Sequence, residues 1–130
     1  MSMNAAVGFL DVGPTRAVTV IRWAARLLSL GLFFLWGAFF VEHLEWFTHP
    51  DRLPPPWVFG VVGLHLAMLL SLLAGWRYER LGGALLIATA SLFFFLAAGR
   101  NAIPFAAVTS LPGVLWLICA GMEAGAGRRS

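Results

Sequence analysis

The sequence predicts an all-α fold: an integral membrane four-helix bundle with both termini on the cytoplasmic side. Three observations carry that expectation. The chain is 60% hydrophobic and 12% charged over 130 residues, with a mean hydropathy of +0.84, whereas a soluble domain carries about 25% charged residues. Charged residues leave four long apolar gaps, 27–41, 53–76, 81–99 and 101–122. The nine basic residues, all arginine, crowd the ends of those gaps. So few charges do not coat a water-exposed surface, and lipid is the natural solvent.

The elements follow in order. Residues 1–20 read as a cytoplasmic segment, because Asp11 and the Gly13-Pro14 break spoil the basic-then-apolar pattern of a cleaved signal. Residues 21–123 make the four-span domain. About 20 residues at 1.5 Å rise cross a hydrocarbon core of about 30 Å. The first gap is short, so helix one is drawn over about 21–47, with Arg22 and Arg26 snorkelling inward and Glu42, His43 and Glu45 near the outer rim. Four prolines stiffen the loop 48–56. Helices two, three and four cover about 57–76, 81–98 and 104–122, and 124–130 form a cytoplasmic tail. Arg16, Arg22, Arg26, Arg77, Arg80, Arg128 and Arg129 fall on one side and only Arg52 and Arg100 on the other, which orients the bundle by the positive-inside rule.

Packing is expected along a stripe of small residues on helix two, Gly60, Gly63, Ala67, Ser71 and Gly75, where helix three can approach closely. Pro112 and Gly113 should kink helix four. His65 is rotated about 160° from that stripe and faces helix one, a cavity or another subunit.

The densest polar group is Glu42, His43, Glu45 and His49 at the outer end of helix one. His65 lies about 12 Å, and Glu42 about 7.5 Å, below the outer interface. An ionisable group at such depth calls for a partner, and Glu42 with His65 is the pair expected, as a hydrogen bond locking helix one to helix two. The same chemistry leaves open a metal site from His43, His65, Glu42 and Glu45, or a haem between His43 and His65, although no H-x-x-x-H or E-x-x-H spacing fixes the ligands. At the inner rim, Arg22, Arg26, Arg77, Glu79 and Arg80 are expected to form ion pairs around Glu79 or to meet lipid head groups. Cys119 is the lone cysteine, so no internal disulfide forms. No basic patch with interleaved aromatics points to nucleic acid, and no serine sits in a G-x-S-x-G context.

At the span ends the chain reads Arg22-Trp23-Ala24-Ala25-Arg26, then Trp76-Arg77-Tyr78-Glu79-Arg80-Leu81-Gly82-Gly83, then Leu111-Pro112-Gly113. This resembles an uncharacterised family of small bacterial four-span membrane proteins with R-W-x-A-R opening helix one, a Glu near its outer end, W-R-x-E-x-x-G-G between helices two and three, and L-P-G in helix four. The resemblance covers most of residues 21–120 and places Glu42 at the family's Glu. His43 stands where the family has Gly, and Trp46 and His65 lie outside its pattern. The resemblance implies a bacterial inner membrane location, and no activity is established for the family.

Three functional expectations follow. The first is a non-enzymatic accessory subunit of a larger, energy-converting membrane complex, without a cofactor, whose partners are membrane lipids and other integral membrane subunits. The second is a small redox protein holding haem or a divalent metal at His43 and His65. The third is an oligomeric proton-coupled transporter using Glu42, which lies nearer the rim than the midplane where such sites sit.

Overall fold

Four helices in chain order build the computed structural model, which describes residues 14–48 and 54–129. The expectations for residues 1–13, for His49, Arg52 and the proline-stiffened stretch around them, and for the side chains of Trp46, Arg128 and Arg129 lie outside the described residues. Helix α1 spans Pro14–His43 and runs into a 3-10 turn, Leu44–Phe47. Helices α2 (Pro56–Ala74) and α3 (Glu79–Ala97) are followed by a 3-10 turn, Gly99–Asn101, and α4 (Ala102–Arg129). All four are long and apolar enough to cross a membrane.

Local chemistry explains the ends. Proline opens α2 at Pro56, a position where its missing N–H would have no intrahelical partner anyway. Glu79 begins α3, where a carboxylate meets the positive end of the helix dipole. Between α3 and α4, Gly99 adopts φ +57°, a conformation that a side chain disfavours. Helix α4 continues unbroken through Pro112. Both outer helices exceed the expected bounds: α1 starts at Pro14 rather than near residue 21, and α4 runs to Arg129 rather than ending near 122. Charges mark where hydrocarbon ends, not where a helix must stop. At about 45 Å and 42 Å, α1 and α4 outlast α2 and α3, which reach about 28 Å each.

The helices pack as a ring in chain order, α3 against α4 most extensively, then α2 with α3 and α1 with α4, and α1 with α2 most lightly. The tightest contacts are made by glycine. A Cβ on Gly82 would strike the backbone of Gly75, one on Gly75 would strike the ring of Trp116, and Gly83 and Gly113 face each other's carbonyls across α3 and α4. Trp116, Met68, Leu72 and Leu86 are fully buried around this seam.

The expected stripe on α2 is divided. Ser71 and Gly75 are buried and Ala67 half-buried, but Gly60 and Gly63 are exposed, with nothing within 4 Å of an added Cβ. The face that α2 buries along its length is instead His65, Met68, Leu69 and Leu72. The short turn after Gly75 forces the α2 and α3 backbones together only at that end; farther along, larger side chains fill the space. Gly82→Ala is therefore expected to lower stability by about 1–3 kcal/mol through overpacking, read as a fall in thermal midpoint in detergent. Gly63→Ala should stay within about 0.5 kcal/mol.

Candidate functional site

Two polar groupings lie at opposite ends of the bundle. The first gathers at the end where α1 begins and α4 finishes. Arg22 on α1 donates to Glu79 Oε1 through Nη2 (2.7 Å) and Nε (3.1 Å), and Nη2 also donates to Glu123 on α4. One guanidinium thus ties three helices. Its fork of donors suits two carboxylates better than an ammonium would. The Glu79 side chain is 15% exposed and that of Glu123 54%, so the Glu79 link is the better shielded from solvent.

One turn along α1, Arg26 donates to the Trp76 carbonyl (3.1 Å), and its guanidinium lies 5.1 Å from the Trp23 ring centroid and 5.4 Å from that of Trp76. The Trp76 indole donates to Ser29 Oγ (2.8 Å), and Ser29 in turn donates to the Arg26 carbonyl. The turn between α2 and α3 is thereby latched to α1. Arg77 and Arg80 are exposed, with Arg77 over the Tyr78 ring at 5.7 Å. Of the expected rim cluster, Arg22 and Glu79 pair directly and Arg26 meets aromatic rings and a carbonyl. Glu123 was not anticipated. The signal for it was a single acid just beyond the fourth apolar gap, on the arginine-rich side.

At the other end, His65 is 3% exposed. Its Nε2 donates to the Trp36 carbonyl at 3.0 Å, so its described partner is α1 backbone rather than the Glu42 side chain expected from sequence. Glu42 and Glu45 are exposed. The His43 ring lies 6.2 Å from that of His65, and its Nδ1 donates to the Phe39 carbonyl. The two histidines are therefore brought together and the two glutamates are not. Among the described residues no three His, Cys, Asp or Glu side chains form a group that could hold a metal ion.

Aromatic rings surround the pair. His65 packs against Phe93 (4.6 Å between centroids) and Phe40 (5.3 Å). Trp36 contacts Phe94 and Phe105, while its indole donates to Thr109 Oγ1 at 3.0 Å. A pocket of ≈ 220 Å³ opens here between α1, α2 and α3, lined by both histidines. Helix periodicity shows an aromatic run but not which rings of the neighbouring helices close on a histidine, so the sequence does not mark Phe93 and Trp57 as residues lining a pocket with His65.

A double-mutant cycle tests the first grouping. Arg22→Ala and Glu79→Ala should each cost about 1–3 kcal/mol, between the values for exposed and buried pairs, and their effects should fall short of additive. Glu123→Ala should cost less, within about 1 kcal/mol, in the same detergent melts.

The model of a family described as "Domain of unknown function (DUF7670)" matches residues 14–129, and the chain belongs to that family. No curated protein and no solved structure matches it. The matched region is the whole four-helix unit, which fits a small four-span protein with no established activity.

Proposed function

We propose that this member of the DUF7670 family is a non-enzymatic accessory subunit of a larger membrane complex, with a transmembrane partner packed against α1 and α2. The observation that supports the reading is the unequal use of glycine. In the seam, Gly75, Gly82, Gly83 and Gly113 all meet a neighbouring helix, whereas Gly31, Gly37, Gly60 and Gly63 on α1 and α2, like Gly121 and Gly125 toward the end of α4, have nothing within 4 Å; only on α1 and α2 does such a glycine, Gly37, also line a groove. Glycine inside a helix costs about 1 kcal/mol relative to alanine. In lipid the corresponding gain is close helix approach.

A groove of ≈ 540 Å³ between α1 and α2 adds to this. Gly37, Ala38 and Phe34 form one wall and Leu66, Leu70 and Leu73 the other. This is also the pair of neighbouring helices in lightest contact. In the proposed orientation the Arg22–Glu79–Glu123 end lies in the cytoplasm of a bacterial cell and the histidine pocket near the outer face of its inner membrane, as the arginine distribution favours.

The test is gentle detergent extraction of the native protein, with co-purifying chains identified and a visible spectrum and metal analysis taken on the same sample. Companion integral membrane chains in fixed ratio are expected, and Gly37→Leu should release them while leaving the melting of the isolated chain within a few degrees. A chain that extracts alone refutes the reading. One that carries about one haem or metal, lost in His65→Ala, replaces it with a redox protein, and proton flux abolished by Glu42→Gln replaces it with a transporter.

A further inference from the structure

We propose that Arg26 binds the phosphate of one anionic phospholipid at the rim between α1 and the α2–α3 turn. The distribution of charge leads there. Among the described residues, Arg16, Arg22, Arg26, Arg77 and Arg80 stand at this end of the bundle against two acids, Glu79 and Glu123, and Arg22 engages both of those carboxylates. The other described acids, Glu42 and Glu45, lie at the opposite end. Arg26 therefore has no ion-pair partner among the described residues, although it is half-buried and sits one turn farther from the start of α1 than Arg22, toward the hydrocarbon.

Its hydrogen bonds are as incomplete as its charge balance. A guanidinium carries five N–H donors. Nη2 donates to the Trp76 carbonyl, and Nε is buried with no acceptor. The faces of the Trp23 and Trp76 rings, 5.1 and 5.4 Å away, attract the cation, but neither a ring nor a carbonyl cancels its charge. An ionised group at the edge of hydrocarbon calls for a partner.

Height and surroundings identify the missing anion. Helices α2 and α3, about 28 Å each, meet at the turn that Arg26 latches, so the guanidinium stands where a hydrocarbon core of about 30 Å gives way to head groups. Trp23 beside it is 50% exposed on α1 and open to lipid. The groove assigned above to a partner helix begins at Phe33, about 10 Å farther along α1, so the two sites are separate. The planar fork of arginine matches two phosphate oxygens. In a zwitterionic head group the phosphate is already balanced by its own ammonium, so a lipid with a net negative head is the one that cancels the charge of Arg26.

The test uses the full chain, with any companion chains that extract with it, in nanodiscs of phosphatidylcholine and phosphatidylglycerol in equal parts, and counts by native mass spectrometry the lipids each chain retains. One phosphatidylglycerol per chain is expected, favoured over phosphatidylcholine by about fivefold, the order of the gain from one arginine beside an anionic head group. Inorganic phosphate in the buffer should not displace it. Arg26→Gln should abolish the preference, and Arg26→Lys, which keeps the charge, should restore most of it. Because Arg26 also holds the Trp76 carbonyl, Arg77→Gln combined with Arg80→Gln supplies a second variant. Both positions are exposed, so folding should persist, and the retained phosphatidylglycerol should remain. Its loss there would reduce the effect to diffuse attraction toward a basic rim and overturn the proposal. Equal retention of the two lipids, or displacement by inorganic phosphate, overturns it as well. So does a wild-type chain that retains no lipid and loses a companion chain on Arg26→Gln, which assigns the counter-charge to a carboxylate of that companion.

Discussion

The structure depends on how closely the backbones approach at the α2–α3 corner. In lipid there is little hydrophobic gain in bringing two apolar helices together, since the tails they displace are as apolar as leucine. What remains is dispersion between well-fitted surfaces, steep in distance, and a small number of polar links. Gly75 and Gly82 allow the corner to close until backbone meets backbone, and Trp116 from α4 lies flat where Gly75 has no side chain. Gly83 and Gly113 extend the contact along α3 and α4. With the corner fixed, the Trp76 carbonyl and Glu79 stand opposite Arg26 and Arg22 on α1, so the polar latch follows from the glycine seam.

The two ends of the bundle handle polar groups differently. At the Arg22 end, full charges are present, and a charge near hydrocarbon is tolerated when it is paired. Arg22 meets this with two carboxylates, one from each of the helices it has to hold. At the His65 end no such ion pair joins the described helices. Imidazole, indole, hydroxyl and carbonyl groups satisfy one another through His65 to Trp36 and Trp36 to Thr109, within a cluster of aromatic rings. One end is thus an electrostatic clamp, and the other a cluster of aromatic rings tied together by hydrogen bonds.

Span number and the meeting of Arg22 with Glu79 were legible in the sequence because each rests on composition or on charge at the end of an apolar run. The small-residue stripe shows the limit of that reasoning. Periodicity places Gly60, Gly63, Ala67, Ser71 and Gly75 on one side of α2, but which part of that side meets another helix depends on the corner after Gly75, and Gly60 and Gly63 remain open. The same holds for His65. Depth below the interface correctly brought it near the end of α1, yet depth does not distinguish a side chain from a backbone carbonyl as partner, and the structure supplies the Trp36 carbonyl. Glu123 was hidden for a different reason: α4 was ended at its last apolar residue, although nothing in 123–129 breaks a helix as proline would.

Trp36 links the inside of the bundle to the groove on its outside. Its carbonyl holds His65 at the pocket, its indole holds Thr109 on α4, and its neighbours Gly37 and Ala38 form the wall of the groove on the outside of α1 and α2. The partner helix proposed above would therefore meet the outside of the same stretch of α1 that His65 and Thr109 grip from inside the bundle. α1 and α2 touch each other more lightly than any other neighbouring pair, so at this level the attachment of α1 leans on these two hydrogen bonds and on the rings packed around Trp36 rather than on close backbone approach.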